Sequence, residues 1–308
     1  MEVHVFTNPQ QGSTHEQLVV TAKAAEDLGF DGFFRADHYR ALGGIEGSSG
    51  DAWVTLGALA AETSRIRLGT LVTSATFRFP GPLAVTVAQV DEISRGRVEF
   101  GFGTGYFEDE HRAYGIPFPV TAERFARFEE QLAILTGLWT TPAGATFSHR
   151  GEFYELTDSP ALPKPVQRPR PPIIIGGRGR KKTPRLAARY ADEFNLAFPA
   201  VEEIFDQDLY LRAACAEAGR DPGTLRRSAV LLLACGRDHA EVARRTEALA
   251  AYVPEALEHG LVGSPAEVVD RIGQFADAGI TRIYLQTPQQ FDLDHWEFFA
   301  DEVLQQVK

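Results

Sequence analysis

Cysteine is nearly absent from this chain: Cys215 and Cys235 are the only two in 308 residues. Two thiols exclude a disulfide scaffold and a cysteine-built zinc site. Long apolar runs are missing as well. The stretch from Ala229 to Cys235 is among the longest, against the roughly 18–20 residues that a membrane helix needs. Positive charge is in deficit, with 31 Lys and Arg against 42 Asp and Glu and a formal charge of −11. That balance argues against a general nucleic-acid or anionic-membrane partner, since either selects a basic face. The opening Met1-Glu2-Val3-His4 has neither a basic patch nor an apolar stretch, so nothing in it suggests export. The eight histidines are scattered without ligand spacing, which speaks against a metal centre. At 44% hydrophobic and 24% charged residues, the composition is that of a globular protein with a sizeable core. The expectation is a cytoplasmic enzyme.

Short apolar runs alternate with amphipathic helical stretches from end to end. Val3 to Thr7 predicts a first strand. Thr14 then opens a helix, with Gln17 completing a capping box. Leu18, Ala22, Ala25 and Leu28 recur at helical spacing, and Gly29 suits the left-handed cap. Ser264-Pro265-Ala266-Glu267 repeats this start ahead of Val268, Ile272 and Phe275. Further strands are predicted at 31–35, 66–73, 98–102, 172–175, 193–197, 229–234 and 282–286, nearly all separated by helices. Strict β/α alternation implies parallel strands with right-handed crossovers. Eight such units over about 250 residues or more is the size of a closed (β/α)8 TIM barrel, with an open doubly wound sheet as the competing arrangement. No shift of composition marks a second domain, so 1–308 reads as a single barrel. Residues 140–172, with seven prolines and a predicted hairpin, form an insertion between the fourth helix and the fifth strand. Its length suits a lid or an oligomer contact. Residues 36–50 make a Gly/Ser-rich loop on the face where barrels carry their chemistry.

Candidate residues therefore lie at strand C-terminal ends. Asp37-His38 ends the second strand, and a histidine beside a carboxylate can exchange protons near neutral pH; a surface loop His is the alternative. Gly101-Phe102-Gly103-Thr104-Gly105-Tyr106 is no dinucleotide fingerprint, because Tyr106 stands where the last glycine would fall. Its glycines let a flat ring or a phosphate approach the backbone, or simply form a tight turn. Glu108-Asp109-Glu110-His111 holds either a catalytic acid or a charged surface helix start. The strongest local signal is Ile173-Ile174-Ile175-Gly176-Gly177-Arg178-Gly179-Arg180-Lys181-Lys182-Thr183-Pro184. An apolar strand runs into a glycine turn, four basic side chains and a helix start opened by Thr183 and Pro184, which together favour an anion. Other barrel chemistries fit less well. A metal hydrolase wants two histidines one residue apart on the first strand, where His4 stands alone, and a glycosidase wants two opposed carboxylates.

Taken together, these segments resemble the luciferase-like monooxygenase superfamily, the flavin and deazaflavin barrels related to bacterial luciferase. The resemblance is carried by Ala24-Ala25-Glu26-Asp27-Leu28-Gly29-Phe30-Asp31, Ala36-Asp37-His38 and Thr63-Ser64-Arg65-Ile66-Arg67-Leu68-Gly69-Thr70. Gly96-Arg97-Val98-Glu99-Phe100-Gly101-Phe102-Gly103, Glu110-His111 with Tyr114-Gly115-Ile116-Pro117, and Gly176-Gly177 extend it over essentially the whole chain. Thr76-Phe77-Arg78 and the helix from Glu123 to Trp139 are most similar to the branch that uses coenzyme F420. The resemblance implies a (β/α)8 barrel with a ring system across the strand ends and a non-proline cis peptide near Leu71-Val72. It implies cofactor contacts at Leu71, Val72, Thr73, Gly103, Thr104, Gly105 and Tyr106, with Gly176, Gly177 and Arg178 on the phosphate. His38 and Asp37 would be the catalytic pair, His38 lying near the reactive ring atom. Sugar-phosphate dehydrogenases of that branch carry a Glu where this chain has Tyr106; Glu108 or Glu110 replaces it only if the loop bends inward.

The expected function is an F420-dependent oxidoreductase that moves a hydride between C5 of the deazaflavin and a small organic substrate. An FMN-dependent monooxygenase using O₂ and a separate reductase, a non-catalytic flavin-binding protein and a hydrolytic barrel are the alternatives. By resemblance a homodimer is expected, with no metal, nucleic acid or membrane. The substrate pocket is expected to be lined by residues 36–50, 106–111 and 140–172.

Overall fold

A computed structural model of the chain describes residues 1–41, 47–250, 254–287 and 289–308; residues 42–46 of the expected Gly/Ser-rich loop lie outside that set. In chain order the elements are β1 (Glu2–Thr7), α1 (His15–Asp27), β2 (Gly32–Arg35), α2 (Ala52–Glu62), β3 (Arg67–Ser74), α3 (Pro80–Ile93), β4 (Val98–Gly103), α4 (Glu108–Ala113) and α5 (Thr121–Thr140). There follow β5 (Phe147–Arg150), β6 (Glu155–Ser159), β7 (Ile173–Gly176), α6 (Lys182–Tyr190), β8 (Glu193–Ala197), α7 (Val201–Glu217), β9 (Arg226–Cys235) and α8 (His239–Ala250). The chain ends with α9 (Pro254–Leu257), β10 (Leu261–Gly263), α10 (Pro265–Asp277), β11 (Arg282–Gln286) and α11 (Leu293–Phe299), before a last helical turn.

Eight of these strands pair in parallel and close on themselves. β1 lies between β11 and β2, and the ring continues through β3, β4, β7, β8 and β9 back to β11. The pairing of β9 with both β8 and β11 excludes an open sheet. The predicted capping boxes are in place. Gln17 N–H donates to Thr14 Oγ1 at 3.1 Å, and Thr14 N–H to Gln17 Oε1 at 2.9 Å. At α10, Ser264 N–H donates to Glu267 Oε2 at 2.8 Å, and Val268, Ile272 and Phe275 face the core. The short strand β10, which adds to β9 outside the ring, has too few residues to show a period.

Residues 140–172 run differently from the expectation. β5 and β6 form an antiparallel hairpin held by Glu130 of α5, whose carboxylate accepts from the N–H groups of Phe153 and Tyr154. Farther along, Gln167 donates to Asp91 Oδ1 and to the Val98 carbonyl, each at 2.7 Å, beside the start of β4. The hairpin thus lies along α5, with the Tyr154 hydroxyl accepting from Gln131 at 2.7 Å and its ring edge-on to Phe79, while Gln167 sits beside the start of β4. None of these residues lines the large cavity described below.

The barrel interior is layered. At the N-terminal end, Arg282 is buried between Glu99 and Glu193, donating to them at 2.5 and 2.6 Å and to half-buried Glu2 at 2.7 Å. Burial works to raise the Glu99 carboxyl, but the charges of Arg282 and Arg67 outweigh it and hold it low. Burial prevails at Glu193, whose carboxyl is raised despite Arg282. His4 forms the next layer, stacked on Phe34 with ring centroids 5.2 Å apart and edge-on to Tyr284 at 4.9 Å. Phe6, Leu71, Ile174 and Val230 complete the plug above it.

His4 gives the fold a pH dependence. Its ring nitrogens are buried without a hydrogen bond, Nε2 lying 3.7 Å from Glu2, and burial lowers its pKa to about 4. Above about pH 6.5 the side chain is neutral in both folded and unfolded states. Below it the unfolded chain takes up a proton that the folded chain refuses until about pH 4, so stability falls across that window and this group adds no further loss below it. The gap corresponds to on the order of 3 kcal/mol. Urea melts of His4→Phe should show a flatter dependence between those pH values; curves parallel to wild type would refute the assignment.

Candidate active site

A cavity of about 530 Å³ opens at the C-terminal ends of the strands. Phe6 and Asn8 enter it from β1, Ala36, Asp37 and His38 from beyond β2, and Leu71, Val72 and Ser74 from β3. Gly103 ends β4 and Thr104 to Tyr106 follow it, Gly176 ends β7 and Gly177 follows, and Asn195 and Ala197 of β8 are followed by Phe198. Val230 of β9, Gln286 of β11 and Glu110 of α4 complete it.

The loop after β2 is anchored by Arg35. This buried side chain donates to the carbonyls of Ala36 at 3.0 Å and Gly50 at 2.9 Å, and to Thr55 Oγ1 at 2.7 Å. Asp37 then turns back onto Arg78, which bridges it to Asp51 and also reaches the Tyr39 hydroxyl. Both Asp37 oxygens are thereby engaged, and the side chain is only 2% exposed. The residue named as the partner of His38 from sequence adjacency is bound to an arginine.

Glu110 is the carboxylate that meets His38. Its Oε1 lies 2.9 Å from His38 Nδ1, and its Oε2 accepts from the Tyr39 N–H at 3.1 Å. Glu110 is 1% exposed, whereas Glu108, two residues earlier on α4, faces solvent. The bend that turns Glu110 inward is held by His111. Its Nδ1 contacts the Phe107 carbonyl at 2.7 Å, and its Nε2 contacts Thr76 Oγ1 at 2.5 Å. A carboxylate only accepts, so Glu110 places the ring proton of neutral His38 on Nδ1 and leaves a lone pair on Nε2. That nitrogen faces the Tyr106 hydroxyl at 3.3 Å. The arrangement can accept a proton at Nε2 and disperse the resulting charge onto Glu110.

One wall is built by close approach. The Leu71–Val72 peptide is cis, as the family resemblance implies, and the β3–β4 register shifts between Thr70 and Thr73. Val72 presses on β4, where a Cβ at Gly103 would fall 2.8 Å from its Cγ2. A Cβ at Gly105, at φ +77°, would fall 2.4 Å from Ser74 Oγ. Bare backbone is therefore required at both positions. Thr73 is on the other side of the strand: its hydroxyl accepts from Trp53 Nε1 at 3.0 Å and donates to Thr70 Oγ1 at 3.1 Å, away from the cavity.

The glycine turn after β7 divides its residues. Gly176 and Gly177 reach the cavity, but Arg178 does not. Its guanidinium donates to the carbonyls of Ala197 at 2.8 Å and Phe198 at 2.9 Å and to Glu203 at 3.1 Å. It fastens the loop on which Phe198, at φ +50°, projects into the site. Helix α6 begins at Lys182, two residues before the predicted Pro184, and Thr183 packs under Gly177 and Gly179 instead of capping. Arg180, Lys181, Lys182 and Arg185 line a separate cleft of about 280 Å³ against α7.

Asn8, Phe198 and Gln286 also line the cavity, and in the sequence only their strand-terminal position marks them. For Glu110 the sequence offers no such mark, because a charged helix start gives no sign of which carboxylate turns inward.

Comparison with known proteins agrees with this architecture. The family model described as luciferase-like monooxygenase matches residues 1–260. A curated relative, the F420-dependent glucose-6-phosphate dehydrogenase of Microbacterium testaceum, is 28% identical over 312 residues, spanning 92% of this chain and 91% of its own. Among solved structures, the monooxygenase RslO1 from Streptomyces bottropensis aligns over 100% of both chains with TM-score 0.83 and 26% identity. An F420-dependent secondary alcohol dehydrogenase in complex with an F420–acetone adduct has TM-score 0.82 at 20% identity, covering 100% of this chain and 99% of its own, which is a likeness of fold.

Proposed function

This chain belongs to the luciferase-like monooxygenase family, and from that premise we propose that it is an F420-dependent oxidoreductase acting on a small organic substrate. The observation that carries the reading is the Glu110–His38–Tyr106 array at one end of a cavity walled by glycine backbone. Leu71, Val72 and Gly103 to Gly105 would hold the ring system, and Gly176-Gly177 its phosphate. Gly103 and Gly105 let β4 and its loop lie close against Val72 and Ser74, and their backbone lines the same cavity as Leu71 and Val72. When bound, the deazaflavin accepts or gives a hydride, and the protein supplies orientation and electrostatics. The chain's own part is proton transfer. His38 Nε2 takes the proton of a substrate hydroxyl, or returns it to a carbonyl oxygen, while Glu110 keeps the ring in the required tautomer and stabilises its charged form. The naming of the curated relatives supports F420 over FMN. The buried free thiols Cys215 and Cys235 suit a reducing compartment, and we place the enzyme in the cytoplasm.

Fluorescence titration tests the cofactor. F420 is expected to bind at least about tenfold more tightly than FMN, a difference of about 1.4 kcal/mol. Preferential binding of FMN, with oxygen uptake when it is reduced, would instead establish the monooxygenase alternative.

A further inference from the structure

Resting on the deazaflavin reading above, we infer that the substrate is an uncharged alcohol or carbonyl compound with an apolar body, and that sugar phosphates are refused. The charges around the cavity lead to this. Among the described residues that line it there is no Lys and no Arg; the ionisable ones are Asp37, Glu110, His38 and Tyr106. The positions outside the described set, 42–46, 251–253 and 288, contain no Lys or Arg either. Arg78, which approaches the site through Asp37, is consumed by Asp37 and Asp51. Arg178 is tied to two carbonyls and Glu203. The basic cluster at Arg180, Lys181 and Lys182 opens into its own cleft against α7.

A phosphate dianion entering the His38 end would lose its water beside buried Glu110 and meet no Lys or Arg among the described residues that line the cavity. Desolvated charge of that kind is strongly disfavoured unless it is paired, and the backbone N–H groups of the Gly176-Gly177 turn are already assigned to the cofactor phosphate. The same end suits a hydroxyl or carbonyl oxygen. His38 Nε2 and the Tyr106 hydroxyl lie 3.3 Å apart. The Gln286 carboxamide, on a residue only 3% exposed, lines the same cavity. Beside these polar atoms stand Phe6, Leu71, Val72, Phe198 and Val230, which would cover an apolar body.

Oxidation of such an alcohol breaks the carbinol C–H and O–H bonds and forms C=O, the hydride passing to the oxidised deazaflavin and the proton to His38 Nε2. Carbonyl reduction reverses each transfer.

The experiment has two stages. F420 binding to the purified protein is measured first, and its failure would sink the cofactor reading and this inference with it. The F420-loaded protein is then offered short-chain secondary alcohols, cyclohexanol, the matching ketones with reduced F420, and glucose 6-phosphate. Turnover is followed by deazaflavin absorbance, and substrate contact by saturation-transfer NMR. Uncharged substrates are expected to show NMR contact and a kcat/KM at least about 100-fold above that of glucose 6-phosphate. Comparable or better use of glucose 6-phosphate would overturn the inference while leaving F420 dependence intact. So would neither contact nor turnover with any uncharged compound by the F420-loaded protein.

Discussion

His38→Ala is expected to lower kcat by about 10²–10⁴-fold, the usual range for removal of a general acid–base group, while F420 affinity changes little. The His38 Nε2 lies 3.3 Å from the Tyr106 hydroxyl at the cavity. Alanine removes that proton acceptor and leaves Glu110 bound to the Tyr39 N–H, so the fold around the site is retained. Added imidazole should restore part of the rate, which a purely structural role would not allow. Glu110→Gln should have a smaller effect in the same direction. The amide can still accept from one donor, but its NH₂ cannot also accept from Tyr39 or carry the countercharge for protonated His38. A His38→Ala variant within about threefold of wild type would remove His38 from the chemistry.

The second large effect concerns stability. Arg282→Met is expected to destabilise the fold by about 3–5 kcal/mol, the cost typical of breaking a buried ion pair on one side. Glu99 and Glu193 would then share a low-dielectric space with no cation between them. At present Arg282 donates to both, and Glu193 also accepts from Ser228 at 2.6 Å and from Tyr284 at 2.7 Å. Converting Glu99 and Glu193 to Gln in the Arg282→Met background should recover much of the loss, because neutral amides tolerate that burial far better than two carboxylates. Urea denaturation of the single and triple variants decides it; a single-variant loss under about 1 kcal/mol would mean that the cluster behaves like a surface pair. Turnover at temperatures where the variant stays folded should be unaffected, since these residues occupy the end of the barrel opposite His38.

The barrel itself was legible in the sequence. β/α alternation, the capping boxes at Thr14 and Ser264 and the glycine-terminated strands are local features, set by periodicities of two and about four residues and by single turns. The strand ends that hold Asp37-His38, Gly103 to Tyr106 and Gly176-Gly177 followed from that order. The cis Leu71–Val72 peptide followed from family resemblance and from no local pattern.

Meetings across the barrel were decided only by the tertiary structure. His38 lies one residue from Asp37 in the chain, yet its partner is Glu110, 72 residues away; Asp37 is drawn to Arg78, 41 residues away. Arg282 gathers Glu2, Glu99 and Glu193 from three other strands, an assembly that no stretch of sequence contains. Residues 140–172 show their length and their prolines in the sequence, but the packing of their hairpin on Glu130 and Gln131 of α5 is a long-range meeting. Chain neighbours share a backbone, not a direction. Closure of the eight strands and the tilt of each helix determine where side chains point, and those are long-range properties. The sequence by itself determined a (β/α)8 barrel with its chemistry at the strand ends; the packed structure decided that Glu110 is the carboxylate that serves His38.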